Sequence, residues 1–257
     1  MSPARYEVRG ERGFLDAGWL QARFSFSFGN YVHPRGGRFG PVLALNEDLV
    51  QPATGFPMHP HRDLEIFMLP RRGAIAHEDS LGGREIVRVG QALMMRAGHG
   101  IRHSQFNASG TEVDHHLQLW IEPARHGLAP HAALKDLGPL RFGKWQRLAA
   151  PQGEVAPFTV AQQARVFLGA ASASEPLVLS LREGEAAYPH VIEGACTAYL
   201  RAGRTPGLAG GDALAVESLA GTSLLRPEGD RSEFLLVTFP ASLLLRNRTS
   251  AEVRAGR

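Results

Sequence analysis

The sequence predicts an all-β protein, and three observations support this fold class. Short apolar runs recur along the chain and end at Gly, Pro or Asp, as strands separated by turns do. The 29 glycines and 17 prolines supply the turns that many short strands require. Helical periodicity is weak, and the helix candidates are FLDAGWLQARF, from Phe14, and ASLLLRNRTSAEV, from Ala241. Strands at this spacing are typical of a β-sandwich or barrel.

In chain order, the first half contains several strand patterns and one tight hairpin. The strand patterns are PVLALNEDLV from Pro41, LEIFMLP up to Pro70, QALMMRA from Gln91 and HLQLWIEP up to Pro123. The segments AIAHEDS and REIVRV flank LGG, which predicts a β-hairpin turn. A proline ends two of these patterns, since it cannot donate to a backbone hydrogen-bond ladder.

The second half repeats the same rhythm after a predicted linker. Residues 123–140 are rich in Pro, Gly and Ala, a composition that predicts a connecting segment. The strand patterns beyond it are PLVLSLREG, CTAYLRAG, GDALAVES, TSLLRP and SEFLLVTFP. The 257 residues, 44% of them hydrophobic, are enough for two domains with separate cores. No residue-by-residue repeat links the two halves, so their similarity is inferred from strand rhythm alone.

Composition and charge argue against several classes of protein. The formal net charge is +3 and the arginines are scattered, so we expect no nucleic-acid partner. The N-terminus lacks the apolar core of a secretory signal, and no apolar run approaches the ~18 residues of a membrane span, so we expect no membrane partner. Cys196 is the single cysteine, which excludes an internal disulfide and fits a reducing compartment. We expect a cytoplasmic monomer in which Cys196 is a small buried apolar residue.

Two histidines separated by one residue, His59 and His61, form the most informative motif of the chain. Residues i and i+2 of a strand point to the same face, so the two imidazoles lie side by side. Pro60 between them lacks an N–H and is confined to an edge or irregular strand, which favours the mouth of a barrel. The turn AGHG precedes His103 and would bring a third imidazole over the pair. Three imidazoles predict an open site for Fe(II), Ni(II), Zn(II) or Cu(II).

Other polar residues near this motif are open to more than one interpretation. Asp63 and Glu65 share the parity of the two histidines if the strand is regular. Glu65 is then a metal ligand, a hydrogen-bond partner of a ligating imidazole, or a salt-bridged strand residue, and we prefer the second interpretation. His77 either lines the pocket or is a hydrogen-bonded core histidine.

The remaining histidines of the first half are assigned to loops or to alternating faces of a strand. His33 and His126 are expected in solvated loops, and His99 is expected to be a loop residue of its Gly-rich turn. Because His115 and His116 are adjacent in a strand, they face opposite sides, and at most one of them faces the pocket.

Six segments, in this order and spacing, resemble the pirin family of the cupin superfamily: FSFSFGNY, LALNEDLV, HPHRDLEI, HEDSLGG, GIRHSQFN and LQLWIEP. The resemblance extends from Arg12 to Pro130, and the C-terminal half is similar only in its strand pattern. It implies a bicupin, which consists of two β-barrel, jelly-roll-like domains packed together. Residues 1–130 would form the metal-binding cupin domain and residues 131–257 a cupin domain without a metal site.

The resemblance also implies a ligand set. The family pattern is His-x-His followed by His-x-Glu, and its imidazoles map onto His59, His61 and His103. The fourth position is Gln105, an amide where the family has a glutamate. Gln105 keeps a carbonyl oxygen but loses the negative charge, so we expect it to be a weaker fourth ligand or to leave that position open. Fe(II) is the expected metal, with Ni, Zn, Cu, Mn or an adventitious divalent ion as alternatives.

The resemblance implies two different functions, one enzymatic and one regulatory. Bacterial relatives resemble quercetin 2,3-dioxygenases, which open the flavonol ring with O₂, so a flavonol-like aromatic is one expected substrate. Animal relatives are nuclear co-regulators, so the alternative is a non-catalytic, metal-containing regulatory cupin with a protein partner. A third interpretation retains the metal only for stability. Because the family glutamate could serve as a base, Gln105 favours reduced catalysis. The expected apolar walls of the pocket are Phe56, Phe67, Met94 and Met95.

Overall fold

The computed structural model describes residues 4–34, 36–201, 203–217 and 220–248. These residues form strands and, within the described ranges, two 3₁₀ helices, Arg9–Glu11 and Ala241–Arg248. The all-β prediction is therefore confirmed. The helix candidate from Ala241 is a 3₁₀ helix, and its part beyond residue 248 lies outside the described residues.

The helix candidate at Phe14 is wrong, because this segment forms two antiparallel strands. Leu20, Ala22 and Phe24 are buried in alternation with more exposed neighbours. This burial has the period of two that belongs to a strand, not the period of 3.6 that belongs to a helix. Sheet pairing with the following strand fixes that choice.

In chain order, the strands are β1 (Ala4–Glu7), β2 (Gly13–Asp16), β3 (Leu20–Phe24), β4 (Val42–Val50), β5 (Gly55–His61), β6 (Glu65–Arg72), β7 (Ala74–Asp79), β8 (Arg84–Arg88), β9 (Gln91–Arg96), β10 (Ile101–Asn107), β11 (Asp114–Ile121), β12 (His131–Asp136), β13 (Lys144–Pro151), β14 (Phe158–Val160), β15 (Arg165–Ala171), β16 (Leu177–Leu181), β17 (Glu185–Glu193), β18 (Ala195–Leu200), β19 (Gly203–Ala209), β20 (Ala213–Val216), β21 (Gly221–Pro227) and β22 (Ser232–Pro240). The described residues divide into two compact units. The first is residues 13–138, and the second is residues 4–12 together with 139–248.

Each unit is built from two sheets around an apolar core. Among the described residues of the first unit, a seven-stranded sheet has the order β12-β9-β6-β11-β4-β3-β2, and a four-stranded sheet has the order β5-β10-β7-β8. In the described part of the second unit, the corresponding orders are β1-β20-β17-β22-β15-β13-β14 and β16-β21-β18-β19. The prediction of two jelly-roll-like domains is confirmed, but in the described residues the sheets remain separate and do not close into barrels. Strands that return to non-neighbouring positions produce this topology.

The division between the units differs from the predicted boundary at residue 130. Strand β12 lies within the expected linker and pairs antiparallel with β9, which places it in the first unit. Strand β1 pairs with β20 and so belongs to the second unit. Backbone pairing between residues distant in sequence decides both assignments, and a compositional reading cannot detect it.

Two prolines show how the sheets accommodate a missing N–H. Pro60 lies on β5, an edge strand of its sheet, as predicted. The strand predicted to end at Pro70 instead continues to Arg72. The register with β11 shifts between His115 and His116, opposite Pro70, and this irregularity absorbs the proline. The predicted LGG hairpin joins β7 and β8.

Gly98 allows the loop before β10 to close. Its φ is +50°, and a Cβ there would lie 2.0 Å from the carbonyl oxygen of Leu128. The same loop is tied at both sides, because the N–H of His99 donates to Leu128 and the carbonyl of Gly98 accepts from Asp63. The loop therefore fixes where β10 begins.

We expect Gly98→Ala to lower the free energy of unfolding by more than about 2 kcal/mol, since backbone strain and a backbone clash add. Gly90→Ala is the matched control, because Gly90 has φ +83° but open space around its Cβ position. That control should lose only about 1 kcal/mol. Urea unfolding of both variants measures the difference, and equal losses would refute the close approach.

Candidate metal centre

The three predicted imidazoles meet on the pair formed by β5 and β10. His59 is the direct partner of His103, and β5 ends at His61 opposite Ile101. The ring centroids are 4.4 Å apart for His59 and His103, 4.8 Å for His59 and His61, and 5.0 Å for His61 and His103. One ligand nitrogen from each ring lies within 4.8 Å of the others.

Regular antiparallel pairing produces this convergence, because His59 and His61 share one face of β5 and His103 is the direct partner of His59. Between the pairs His103–His59 and Gln105–Phe56 the register shifts, so β5 carries one more residue than β10. Such an extra residue increases the local twist and changes the direction in which side chains point. This bulge lies just beyond the three histidines, and it sets the register between them and Gln105.

Burial keeps two of the rings neutral. His103 is 1% exposed, and burial, aided by His59, His61 and His77, lowers its pKa to about 2. Burial and the neighbouring His59 lower the pKa of His61 to about 4. Neutral imidazole is the form that binds a metal, so the lone pairs of both rings are available at neutral pH.

The donor set fits a divalent transition metal. Neither ring nitrogen of His103 has a hydrogen-bond partner in the described structure, although both are buried. The Nδ1–H of His59 can donate to the carbonyl of Pro57 at 2.8 Å, which leaves Nε2 as the lone pair facing the cluster. The orphaned nitrogens of His103 and the oriented ring of His59 are what an imidazole site requires before its ion is bound.

Gln105, the candidate fourth ligand, is held in a buried hydrogen-bond chain. Trp120 donates through Nε1 to Gln118 at 2.7 Å, and Gln118 donates through Nε2 to Oε1 of Gln105 at 3.1 Å. The amide nitrogen of Gln105 lies 2.9 Å from Nε2 of His116. The oxygen of Gln105 keeps a second lone pair, which is what weak ligation would use.

The charge of His116 controls this chain. Its ring contacts Asp114 at 2.7 Å and Asp48 at 3.5 Å. These carboxylates outweigh the opposing effect of complete burial and raise the pKa of His116 to about 9. A cationic His116 donates from both nitrogens. The side-chain amide of Gln105 can therefore accept from it only after rotating by half a turn, so that Oε1 faces His116. A carboxylate at position 105 could accept from both sides at once.

The structure supports the salt-bridged interpretation of Glu65. Glu65 is fully buried, and Arg96 donates to it at 3.0 Å. The regular strand assumed from His59 onward also fails, because β5 ends at His61 and Asp63 has φ +53°. Asp63 instead closes a loop, where its carboxylate accepts from the N–H of Gly127 at 2.7 Å.

The other histidines divide as follows. His99 and His126 are exposed loop residues, as predicted. His33 is buried at 9% exposure beside the ring of Tyr31, so its prediction as a solvated residue is wrong. His116 faces the interior while His115 is partly exposed and contacts Glu47, which confirms that their faces alternate. Nothing in the sequence indicated that the ring of Tyr31, two residues away, would cover His33.

The predicted apolar walls are only partly correct. The ring of Phe56 lies 6.3 Å from that of His59, and Met95 belongs to the core cluster against which Trp120 packs. Phe67 and Met94 are also buried, but they lie on the other face of the sheet from Met95 and so do not line the pocket.

Trp120 was not predicted as part of the site, although its ring lies 5.0 Å from that of His61. Alternation along β11 from Asp114 through His116 and Gln118 was the available signal. Cys196, in the second unit, is buried as predicted, and burial is the main cause that raises its pKa to about 12. Within the described residues, no helix is long and apolar enough to span a membrane.

The chain matches two protein-family models. The model described as Pirin matches residues 5–121, and the model described as the quercetinase C-terminal cupin domain matches residues 147–238. Together they cover most of both units.

Named relatives and solved structures agree with these matches. A quercetin 2,3-dioxygenase of Escherichia coli (strain K12) is 33% identical over 187 residues, which are 73% of this chain and 80% of that protein. A pirin-like protein of Caulobacter vibrioides is 36% identical over 178 residues, 68% of this chain and 76% of that protein. The crystal structure of the bacterial pirin YhhW from Escherichia coli in complex with nickel(II) has a TM-score of 0.83 and 29% identity, covering 92% of this chain and 99% of that chain.

The affinity of the three imidazoles for a metal should change with pH by no more than the release of one proton allows. His61 and His103, with pKa values of about 4 and about 2, release no proton to an incoming ion above about pH 5. We therefore expect the affinity for Ni(II) to change by at most about tenfold per pH unit between about pH 5 and 7, the effect of one proton. Titration calorimetry measures it, with the exposed His99→Ala as control. A hundredfold change per unit would contradict the neutral rings.

Proposed function

Because this chain belongs to the pirin family of bicupins, we propose that it is a metal-dependent dioxygenase that cleaves a flavonol, or a similar enol-bearing aromatic, with O₂. The convergence of His59, His61 and His103 is the observation that carries this proposal. Its substrate class is taken from the relatives named quercetin 2,3-dioxygenase. We propose Fe(II) as the working metal, since reaction with O₂ favours a redox-active ion.

The residues of the first unit have distinct roles in this proposal. His59, His61 and His103 hold the ion, which when bound would supply a Lewis-acidic and redox-active centre. The contact with Pro57 orients the ring of His59. Trp120, packed edge-on against His61, keeps water from one side of the ligands.

Gln105 limits the proposed activity. A flavonol must lose its hydroxyl proton, and a neutral amide is not a base at neutral pH. Gln105 is also engaged by Gln118 and lies against His116. The substrate proton must therefore leave by another route, and turnover is expected to be weak.

The second candidate function is a non-catalytic metal-containing regulatory cupin. The observation that favours it is the same amide, because Gln105 removes the base and leaves the three imidazoles in place. In that case the ion would shape a surface or report redox state for a protein partner. Oxygen consumption separates the two functions, since only the dioxygenase consumes O₂ with a flavonol.

Gln105→Glu should raise turnover of quercetin at least about tenfold, because it restores a base and an acceptor between two donors. Oxygen uptake and loss of flavonol absorbance, measured with Fe(II) under air, test this change. Gln163→Glu is the control, an exposed amide of the second unit that should leave turnover unchanged. Unchanged or lower turnover in Gln105→Glu refutes the role given to the amide. No turnover in either protein supports the regulatory function.

His61→Ala should lose one equivalent of bound metal relative to the wild-type protein, because two imidazoles alone hold an ion weakly. Elemental analysis of protein purified without chelator gives the count. His99→Ala, which changes an exposed loop histidine, should lose none. An unchanged metal content in His61→Ala would show that the three imidazoles do not share an ion.

A further inference from the structure

We propose a second divalent-cation site in the first unit, formed by His77, Asp79 and Glu85 beside the three imidazoles. One ligand atom from each of these side chains lies within 4.8 Å of the others. The site is separate from the dioxygenase proposal, because it uses none of the three imidazoles that would hold the catalytic ion.

The hairpin of β7 and β8 brings the three side chains together. His77 pairs directly with Glu85 across the hairpin, and Asp79 lies two residues further along β7 on the same face. Nδ1 of His77 is 3.2 Å from a carboxylate oxygen of Glu85. Ligand atoms bound about 2.0–2.2 Å from one ion lie about 3–3.5 Å apart, so small side-chain shifts close the site.

Two buried atoms of the cluster lack partners. Asp79 is 8% exposed, and its Oδ2 has no hydrogen-bond partner in the described structure. Nε2 of His77, a residue that is 0% exposed, also lacks a partner, but it lies across the ring from the nitrogen beside Glu85. Among the described residues, no cationic side chain forms an ion pair with Asp79. A buried carboxylate without a counter-charge is costly, and a bound cation removes that cost.

The turn fixes the carboxylate of Asp79 and leaves room around it. Oδ1 accepts from the N–H groups of Leu81 at 2.8 Å and Gly83 at 3.1 Å. A Cβ at Gly83 would lie 2.6 Å from the other oxygen, Oδ2, so only glycine leaves that atom unobstructed. These contacts hold one oxygen and keep the other free, as a metal ligand requires.

The ligand chemistry selects the class of ion. One imidazole and two carboxylates suit Mn(II), Fe(II) or Zn(II), and the two negative charges make the site more attractive to a cation than three neutral rings are. Glu85 is 30% exposed and gives an ion a route from solvent. The rings of His77 and His103 are 5.3 Å apart, so the two sites adjoin on one sheet face.

Metal stoichiometry tests the proposal on the full chain. After saturation with Mn(II) and removal of free ion, the wild-type protein should hold two equivalents, and Asp79→Asn and His61→Ala should each hold one. Glu78→Gln is the matched control, because Glu78 is an exposed carboxylate on the opposite face of β7 and should leave two. A single equivalent in the wild type with both Mn(II) and Zn(II), or two in Asp79→Asn, overturns the second site.

Thermal unfolding distinguishes lost binding from a lost fold. In EDTA, Asp79→Asn should melt at or above the wild-type temperature, because it removes a buried unpaired charge. With Mn(II) added it should melt below the wild type, because it binds one ion fewer. Glu85→Gln provides the same test should Asp79→Asn fail to fold. A melting temperature lowered equally with and without metal shows a structural role and overturns the proposal. If His61→Ala holds as much metal as the wild-type protein while Asp79→Asn holds one equivalent fewer, the result contradicts the proposed dioxygenase centre and not the second site.

Discussion

The first unit must accommodate the buried imidazole of His103, and the arrangement of the candidate metal centre follows from this need. Both of its ring nitrogens lie inside the protein without a hydrogen bond in the described structure, and leaving such groups unsatisfied costs about 1–3 kcal/mol each. The neighbouring strand β5 places His59 and His61 beside this ring. The regular pairing of β5 with β10 brings the three rings to one face, and the contact with Pro57 orients the ring of His59. An ion shared by the three rings, as proposed, would satisfy all of them together.

Position 105 shows how one atom changes the chemistry of a buried network. Gln118 donates toward it from one side, and His116, raised in pKa by Asp114 and Asp48, faces it from the other. A carboxylate could accept from both neighbours, whereas an amide presents one donor and one acceptor. The glutamine therefore alters more than a ligand. It couples its own orientation to the charge of His116, and in the proposed dioxygenase it would leave no carboxylate at this position to take a proton from a substrate.

The four-stranded sheet of the first unit carries polar chemistry on the face that a jelly roll normally fills with apolar side chains. Ile75, Val87 and Ile101 of this sheet join the apolar cluster, while the histidines and acids occupy neighbouring positions on the same strands. Strands hold side chains more rigidly than loops do, so ligands on β5, β7 and β10 need little rearrangement to bind an ion. The apolar core stabilises the sheet. The sheet in turn positions the buried histidines and acids, which apolar neighbours cannot hydrogen-bond.

Local sequence patterns were enough to predict the all-β class, the shared face of His59 and His61, the edge position of Pro60 and the LGG hairpin. Each of these follows from spacing or from the chemistry of one residue. The folded chain was needed to see that Glu65 pairs with Arg96, that Gln105 contacts His116, and that β1 and β12 belong to different units from those expected. These outcomes depend on contacts between residues far apart in the chain, and a local pattern holds no information about which distant group will arrive beside it.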